Sequence, residues 1–399
     1  MTSQVLGFTN IDDLGQEGLE LVYNDWLQGI PGKERVLKDR LGNTIALINL
    51  LREPKQGQDL TLSIDSRIQY LAFRTLKDTV EQYHAASGSV VVLDVKTGEI
   101  LAMANMPTYN PNDRPADKGQ YRNRAVTDLF EPGSTMKAFS MAAALESGKY
   151  TPETLVNTNP GYMQVDGNPI HDDLNYGVIS LTQIVQKSSN VGAAKVTLSL
   201  PPENLWHLLT RLGFGERTDS GFPGEAAGVL VQHRIWRPTD LATFSFGYGI
   251  SVTALQLAHA YAIIADHGLK VPVTFLKRDA VPAGQQVMAP NIAQEMLVML
   301  ESVLQPGGTG TLARVQGYRI AGKTGTAYIA GGPKGYYKDR YVASFVGIAP
   351  ETNPQFVVAV IIHNPQGGHF GAIVAAPAFA KIMGGALRLL NIAPDGSAA

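Results

Sequence analysis

A serine and a lysine three residues apart form the first candidate reactive pair in this sequence. Ser134 and Lys137 follow a Pro-Gly turn and open a segment whose apolar residues recur at helical spacing as far as Gly148. Both side chains are expected on one face of the first helical turn. There the amine can take the hydroxyl proton, and the terminal N–H groups favour an oxyanion. A capping serine followed by an ordinary lysine has the same spacing, so the pair alone does not define a nucleophile.

Two further short motifs follow, each on an element that suits it. The Ser188-Ser189-Asn190 segment lies between two predicted helices, the first of which opens with the capping-box pattern of residues 180–183. The Lys323-Thr324-Gly325 segment lies in a region of strand character, and Thr326 adds a second hydroxyl. Each motif is weak alone, and only their order and element types together are specific.

The composition limits the function classes that the chain can serve. The chain has 399 residues, a net charge of −2, 44 % hydrophobic residues and no cysteine. These values predict a globular protein of two to three domains, without nucleic acid as its main partner and without thiol chemistry. The longest apolar run, residues 356–362, is far shorter than a membrane span. We expect no metal and no cofactor.

The pattern of the elements predicts an α+β fold. Strands are expected early and late in the chain, at residues 88–94, 99–105, 317–326, 341–349 and 356–363. Helices are expected at 65–80, 134–148, 191–200, 204–212 and 253–266, after an Asn291 cap, and from Pro377. The economical architecture is one antiparallel sheet built from both parts of the chain, flanked by helices, with a mostly helical insertion at about 150–310.

The three motifs resemble those of the penicillin-binding and serine β-lactamase superfamily, whose signature is S-x-x-K, S-D-N and K-T-G. Ser189 stands where that signature has Asp, as in many penicillin-binding proteins. The match extends to residues 102–105, 130–135, 186–192, 244–249 and 383–385. Over nearly its whole length the chain is similar to the division-specific class B penicillin-binding proteins of Gram-negative bacteria.

This resemblance implies a division of the chain and a cellular setting. Residues 1–58 would be the remnant of an N-terminal pedestal, and residues 59–399 the transpeptidase domain. The chain would be the periplasmic part of a single-pass inner-membrane protein whose membrane helix is absent from this sequence. Expected partners are the D-Ala-D-Ala end of a peptidoglycan stem peptide, β-lactam antibiotics, and divisome proteins including a septal glycan polymerase.

The chemistry of acyl transfer assigns a role to each motif. Lys137, made neutral by burial and by the nearby cation Lys323, is the expected general base for Ser134. Ser188 would relay a proton to the leaving amine, while Asn190 would hold Lys137 and the substrate amide. Lys323, Thr324 and Thr326 would bind the terminal carboxylate, and the N–H groups of Ser134 and Thr326 would form the oxyanion hole.

Several other patterns are expected to be structural. Residues 317–324 match the phosphate-loop pattern G-x-x-x-x-G-K-T, but no helix can follow through the glycines after Thr324. The second K-T-G, at 96–98, is expected in a hairpin turn. His363 and His369 are interpreted as surface-loop residues rather than a metal pair, and residues 171–173 (His-Asp-Asp) as a polar turn.

Two alternatives with the same motifs remain open. The first is a hydrolase of the same fold, either a D,D-carboxypeptidase or a β-lactamase, which needs a carboxylate to activate water for deacylation. Glu203, Glu216 and Glu225 lie between the second and third motifs, but none stands in a pattern typical of that role. The second is a non-catalytic module that binds β-lactams through Ser134 and needs no acceptor site.

Overall fold

A five-stranded antiparallel sheet forms the centre of the computed structural model, which describes residues 1–332 and 335–396. The strands of the described chain are β1 Phe8–Thr9, β2 Gly15–Glu17, β3 Lys33–Lys38, β4 Thr44–Arg52, β5 Ser87–Asp94, β6 Ile100–Met106, β7 Leu155–Asn157, β8 Tyr162–Val165, β9 Asn168–His171, β10 Val178–Ser180, β11 Leu269–Lys270, β12 Gln285–Gln286, β13 Ala321–Ala330, β14 Tyr336–Ala349 and β15 Phe356–His363. The order in the main sheet is β13-β14-β15-β5-β6.

The helices surround this sheet and fill the middle of the chain. They are α1 Ser3–Leu6, α2 Gly18–Val22, α3 Asn24–Leu27, α4 Ser66–Gln82, α5 Arg124–Thr127, α6 Lys137–Glu146, α7 Leu181–Lys187, α8 Asn190–Leu198, α9 Pro202–Leu212, α10 Pro238–Phe244, α11 Ala254–Ala265, α12 Pro290–Glu301, α13 Gly371–Val374 and α14 Ala376–Leu389. None of the helices described is long and apolar enough to cross a membrane.

The sheet joins early and late parts of the chain. Strand β15 pairs along its whole length with β5, so that Val358 lies opposite Val92, and β14 and β13 follow on the other side. Helices α4 and α14 pack together against one face, while α11 packs against β5 and β15 from the other. The predicted α+β fold, with one sheet built from both parts of the chain, is confirmed. Strand β13 lies at the edge of the sheet, where its outer side is open.

The helical insertion is also confirmed, although several boundaries differ from those expected. The capping box at Ser180 is present, with Gln183 donating and accepting as predicted. Asn291 is not a cap, because α12 begins one residue earlier at Pro290, which favours the first helical turn. The strand expected at 317–326 begins only at Ala321 and continues to Ala330. The chain before it turns between Val315 and Tyr318.

Two strands near the start of the chain form a hairpin outside the main sheet. Strands β3 and β4 pair antiparallel, and Asp39 orders the turn by accepting from the N–H groups of Leu41 and Asn43, both at 2.8 Å. All of β4 is exposed, so this hairpin takes no part in the main core.

Phe379 offers a test of the packing between α14 and the sheet. Its ring is fully buried with its centroid 4.6 Å from that of Phe345. Truncation to alanine should lower the free energy of unfolding by about 3–5 kcal/mol, because the lost contacts leave a cavity. Urea unfolding measures this change. Val298→Ala on the exposed face of α12 is the control and should change stability by at most about 0.5 kcal/mol. Equal effects in both variants would contradict this packing.

Candidate active site

Ser134 lies on a tight turn that leads directly into α6. Residues Gly133–Met136 form a 3-10 turn, and the α-helix proper begins at Lys137. Gly133 has a φ of +55°, which favours glycine, and a Cβ built there would lie 2.9 Å from the carbonyl oxygen of Thr326. The turn therefore presses against the third motif. The sequence prediction of a helical first turn is correct in place, with a 3-10 geometry in its opening residues.

The amine of Lys137 is fully buried among oxygen atoms without formal charge. Its Nζ lies 2.8 Å from Ser134 Oγ, 3.1 Å from Ser188 Oγ and 2.7 Å from Asn190 Oδ1. A fourth contact, at 2.7 Å, is to the carbonyl oxygen of Ser188. The first and second motifs thus meet at one nitrogen atom.

The second motif has this geometry because the chain turns sharply between α7 and α8. Ser188 adopts a left-handed conformation with φ of +60°, which directs both its carbonyl and its hydroxyl at Lys137. Asn190 begins α8, and its Nδ2 donates to the carbonyl of His171 at 3.1 Å, so its Oδ1 is free to face the amine. The side-chain amide is therefore held in one orientation.

Asp172 supports this turn, a role that the interpretation of residues 171–173 as a polar turn did not anticipate. Its carboxylate accepts from Ser189 Oγ at 2.6 Å and from the N–H groups of Asn190 at 2.5 Å and Val191 at 2.9 Å. A negative charge at the start of α8 is favoured by the helix dipole. The sequence offered only a weak signal, because nothing local links Asp172 to a helix that starts eighteen residues later.

The third motif lies on the edge strand. Lys323 is fully buried, and its Nζ donates to the carbonyl oxygen and hydroxyl of Thr324 at 3.2 and 3.3 Å. A Cβ on Gly325 would lie 2.3 Å from Ser344 Oγ and 2.9 Å from the carbonyl of Pro132, so glycine lets the strand approach the nucleophile turn. Thr326 Oγ1 accepts from the N–H of Gly371 at 3.1 Å.

Burial lowers the pKa of both lysines. It lowers the pKa of Lys137 from 10.5 to about 7, although the carboxylates of Asp172 and Asp173 act in the opposite direction. The pKa of Lys323 is also lowered, by burial and then by the charge of Lys137. The expected burial of Lys137 is confirmed. The expectation that Lys323 is a fixed cation responsible for that shift is wrong, because Lys323 itself lies where a charge is disfavoured.

A cleft of about 370 Å³ opens above these groups. Ser134, Ser188, Asn190, Thr324 and Thr326 line it, whereas Lys137, Lys323 and Gly325 lie beneath its surface. The remaining lining includes an aromatic wall, which consists of Tyr248, Tyr328, Tyr341, His369 and Phe370. One carboxylate and three small residues complete the lining: Asp173, Thr309, Ala327 and Ala372. Sequence reasoning missed this wall, since its aromatic members come from the loop after α10, from strands β13 and β14, and from the loop before α13, without a shared motif.

Of the patterns that were expected to be structural, the phosphate-loop match and the second K-T-G are so in the structure. Strand β13 continues past Thr324, so the phosphate-loop pattern lacks its helix. Lys96 lies in the β5–β6 turn and pairs with Asp266 at 2.5 Å. The interpretation as a surface-loop residue is wrong for His363, which ends β15 and packs against Phe130. His369 does lie in a loop, between β15 and α13, where its ring stacks on that of Tyr341. In the described chain no three His, Asp or Glu side chains are grouped to hold a metal.

A serine at the cleft surface with a buried lysine amine behind it, a Ser-x-Asn turn and a Lys-Thr-Gly edge strand together define the serine acyl-transfer class of penicillin-recognising proteins. Residues 88–384 match the family described as the penicillin-binding protein transpeptidase domain, and residues 2–62 match the penicillin-binding protein dimerisation domain. The first match covers well over half of the chain. The chain therefore belongs to the penicillin-binding protein transpeptidase family.

Named relatives agree with this membership. The chain is 45 % identical to "Probable peptidoglycan D,D-transpeptidase PenA" of Neisseria meningitidis, over 98 % of this chain and 68 % of that protein. It is 44 % identical to "Peptidoglycan D,D-transpeptidase FtsI" of Escherichia coli, over 99 % and 67 %. The transpeptidase domain of Burkholderia pseudomallei penicillin-binding protein 3 superposes with a TM-score of 0.78 at 46 % identity, over 84 % of this chain and 98 % of that one.

The Asp172 contacts predict a stability effect. Asp172→Ala should lower the free energy of unfolding by about 1–3 kcal/mol, because two N–H groups at the start of α8 lose their acceptor. The matched control is Asp173→Ala, for which we expect a change of about 0.5 kcal/mol at most. Urea titrations of both variants provide the comparison, and an unchanged midpoint for Asp172→Ala would show that its carboxylate does not hold the turn.

Proposed function

We propose that this chain is a serine D,D-transpeptidase that cross-links peptidoglycan stem peptides at the division septum through an acyl-enzyme on Ser134. The observation that carries the proposal is the 2.8 Å contact between Ser134 Oγ and the buried amine of Lys137. The pKa of this amine, about 7, leaves a substantial neutral fraction near neutral pH. The printed names of the relatives, peptidoglycan D,D-transpeptidases, support the same substrate class.

In the first half of the reaction, neutral Lys137 takes the proton of Ser134 Oγ. The oxygen attacks the carbonyl of the penultimate D-Ala, and the N–H groups of Ser134 and Thr326 stabilise the oxyanion. Ser188, 3.1 Å from the amine, passes a proton to the nitrogen of the terminal D-Ala, which leaves. Asn190 holds Lys137 and the amide of the substrate.

In the second half, the amine of a neighbouring stem peptide attacks the ester carbonyl. Its proton returns through Ser188 and Lys137 to Ser134 Oγ as the ester breaks, so the site is restored. β-Lactams would acylate the same oxygen, but their ring-opened product keeps its amine attached, and no fragment leaves the cleft to make room for an acceptor. The acceptor and the inhibitor therefore compete for one site.

Strand β13 supplies the binding surface for the donor peptide. Its outer edge is unpaired in the sheet, so an extended peptide can add to it as a further strand. The hydroxyls of Thr324 and Thr326, with Lys323 protonated when an anion is bound, form the carboxylate site. We assign Gly325 to the same site as the residue that brings the strand close to the nucleophile.

The cellular setting is part of the proposal. Residues 1–58 are assigned to an N-terminal pedestal and residues 59–399 to the transpeptidase domain. The chain would act in the periplasm, joined to the inner membrane by a helix outside this sequence, and would work beside divisome proteins including a septal glycan polymerase. Its family membership and the name FtsI among its relatives support this assignment.

A hydrolase of the same fold is the second candidate, and one observation favours it. Asp173 lines the cleft and is the one carboxylate among the described residues that do so. Such a group could activate the water needed for deacylation. Glu225 is unsuited because it is buried away from the cleft, accepting from the N–H groups of Asp219 and Ser220 at 3.0 Å.

Intact mass spectrometry after brief exposure to a penicillin tests the proposal. We expect a single adduct on Ser134 that persists for hours, no adduct on Ser134→Ala, and cross-linked product when stem peptides are supplied. Decay within minutes, slowed by Asp173→Asn, would instead establish the hydrolase. A stable adduct without any cross-linking would indicate a binding module, and labelling of Ser134→Ala would contradict every reading.

The rate of acylation should depend on pH through Lys137. Because the neutral amine is the base, the rate should fall about tenfold per unit as pH drops below about 7. Asp173→Asn removes a charge that raises the pKa of Lys137, so its profile should shift to lower pH. Stopped-flow acylation with a chromogenic cephalosporin provides the profile. A flat rate between pH 5 and 8 would contradict the assignment of the base.

A further inference from the structure

The open edge of β13 is already occupied at one position. The N–H of Tyr328 donates to the phenolic oxygen of Tyr248 at 3.1 Å and therefore faces away from β14. Backbone groups alternate sides along an antiparallel strand, so the N–H and C=O groups of Thr324 and Thr326 face the same open side. The carbonyl of Thr326 does lie against the nucleophile turn at Gly133, as this alternation requires.

Tyr328 lies where the upstream part of a donor peptide would reach β13. The direction of that peptide rests on the proposed function. The terminal carboxylate is placed at Lys323 and Thr324, and the scissile carbonyl at Thr326 and Ser134. The peptide therefore runs antiparallel to β13, with its upstream residues towards Tyr328. By the same alternation, the N–H of Tyr328 would pair with the carbonyl two residues before the scissile one.

Tyr248 is held in place from several sides. Its ring meets that of Tyr336 edge-on, with centroids 5.3 Å apart, and that of Phe246 at 6.0 Å. Its backbone N–H donates to the carbonyl of Thr243 at 3.1 Å. Burial raises the pKa of Tyr248 to about 12, so the hydroxyl stays neutral at physiological pH. The residue is thus a fixed part of the cleft wall.

We propose that Tyr248 is a specificity-determining residue that ends strand pairing after Thr326, so that the donor is recognised along β13 by its two terminal residues alone. The main chain further upstream then makes no hydrogen bond to the strand. The site would accordingly accept donors whose upstream linkage is not an ordinary α-peptide bond, provided that they end in D-Ala-D-Ala.

Two small donors test this proposal. Acetyl-L-lysyl-D-Ala-D-Ala carries, in its acetyl group, the carbonyl that would face Tyr328, and 6-aminohexanoyl-D-Ala-D-Ala is the same molecule without the acetamido group. Binding is measured by NMR titration in the Ser134→Ala chain, which cannot be acylated. We expect dissociation constants within twofold of each other, since the N–H of Tyr328 is already bound.

In the double variant Ser134→Ala, Tyr248→Phe, the acetylated donor should bind about five- to tenfold more tightly than 6-aminohexanoyl-D-Ala-D-Ala, because the freed N–H of Tyr328 gains a partner. Tyr336→Phe is the matched control. It removes a hydroxyl that donates to Glu131 at 2.9 Å but leaves the ring beside Tyr248. The dissociation constants of the two donors should therefore stay within twofold of each other. Equal affinities of the two donors for the double variant would overturn the proposal. A fivefold preference for the acetylated donor already in the Ser134→Ala chain would overturn it as well.

Amide hydrogen exchange gives a second measurement that needs no donor. The N–H of Tyr328 should exchange at least tenfold faster in Tyr248→Phe than in the unaltered chain, and an unchanged rate would overturn the proposal. Failure of the proposed function has a different signature, namely loss of penicillin labelling or of cross-linking in the unaltered chain. If neither donor bound any variant, the recognition of D-Ala-D-Ala itself would be refuted, together with this role of Tyr248.

Discussion

The buried amine of Lys137 is the constraint on which the rest of the structure depends. A fall in pKa from 10.5 to about 7 corresponds to about 5 kcal/mol in favour of the neutral form. The fold achieves this by placing the amine at the start of α6, a helix buried on nearly every side, and by surrounding it with oxygens that carry no formal charge. A carboxylate in contact with the amine would stabilise the ammonium form and remove the base.

The contacts of that one nitrogen also explain the arrangement of the chain around it. The nucleophile turn, the α7–α8 junction and strand β13 come from widely separated parts of the sequence. A local feature of the backbone lets each segment reach the site. The nucleophile turn has 3-10 geometry from Gly133, the α7–α8 junction has Ser188 in a left-handed conformation, and β13 has Gly325, whose lack of a side chain permits close approach. The central sheet makes this possible because β5 and β15 join the early and late segments. The helical insertion brings the second motif over the first.

Much of this was predictable from short-range patterns in the sequence. The turns that present Ser134 with Lys137 and Ser188 with Asn190 follow from local patterns, because turn residues and helix caps fix local geometry strongly. That the two pairs meet across more than fifty residues was expected from the resemblance of the motifs to those of a known family. The main sheet followed from strands of apolar residues at both ends of the domain. The individual turns, caps and strands depend on near neighbours along the chain, so a linear pattern carries the information for them.

The errors concern interactions between distant segments. Asp172 supports the start of α8 from eighteen residues earlier in the chain. His363 lies at the end of a strand rather than in a loop, and β13 begins later than expected because a turn precedes it. The expected positive charge on Lys323 assumed an open environment, whereas the structure buries that side chain completely. The aromatic wall around Tyr248 is likewise assembled only by the fold.

The most direct test of this account is the pKa of Lys137 itself. Two-dimensional NMR of lysine Cε and Nζ, with the resonance assigned by Lys137→Arg, would follow its titration in the unliganded chain. We predict a midpoint near pH 7. A midpoint above about 9, close to that of an ordinary lysine, would mean that the amine is protonated when it meets Ser134 and would contradict its role as the base.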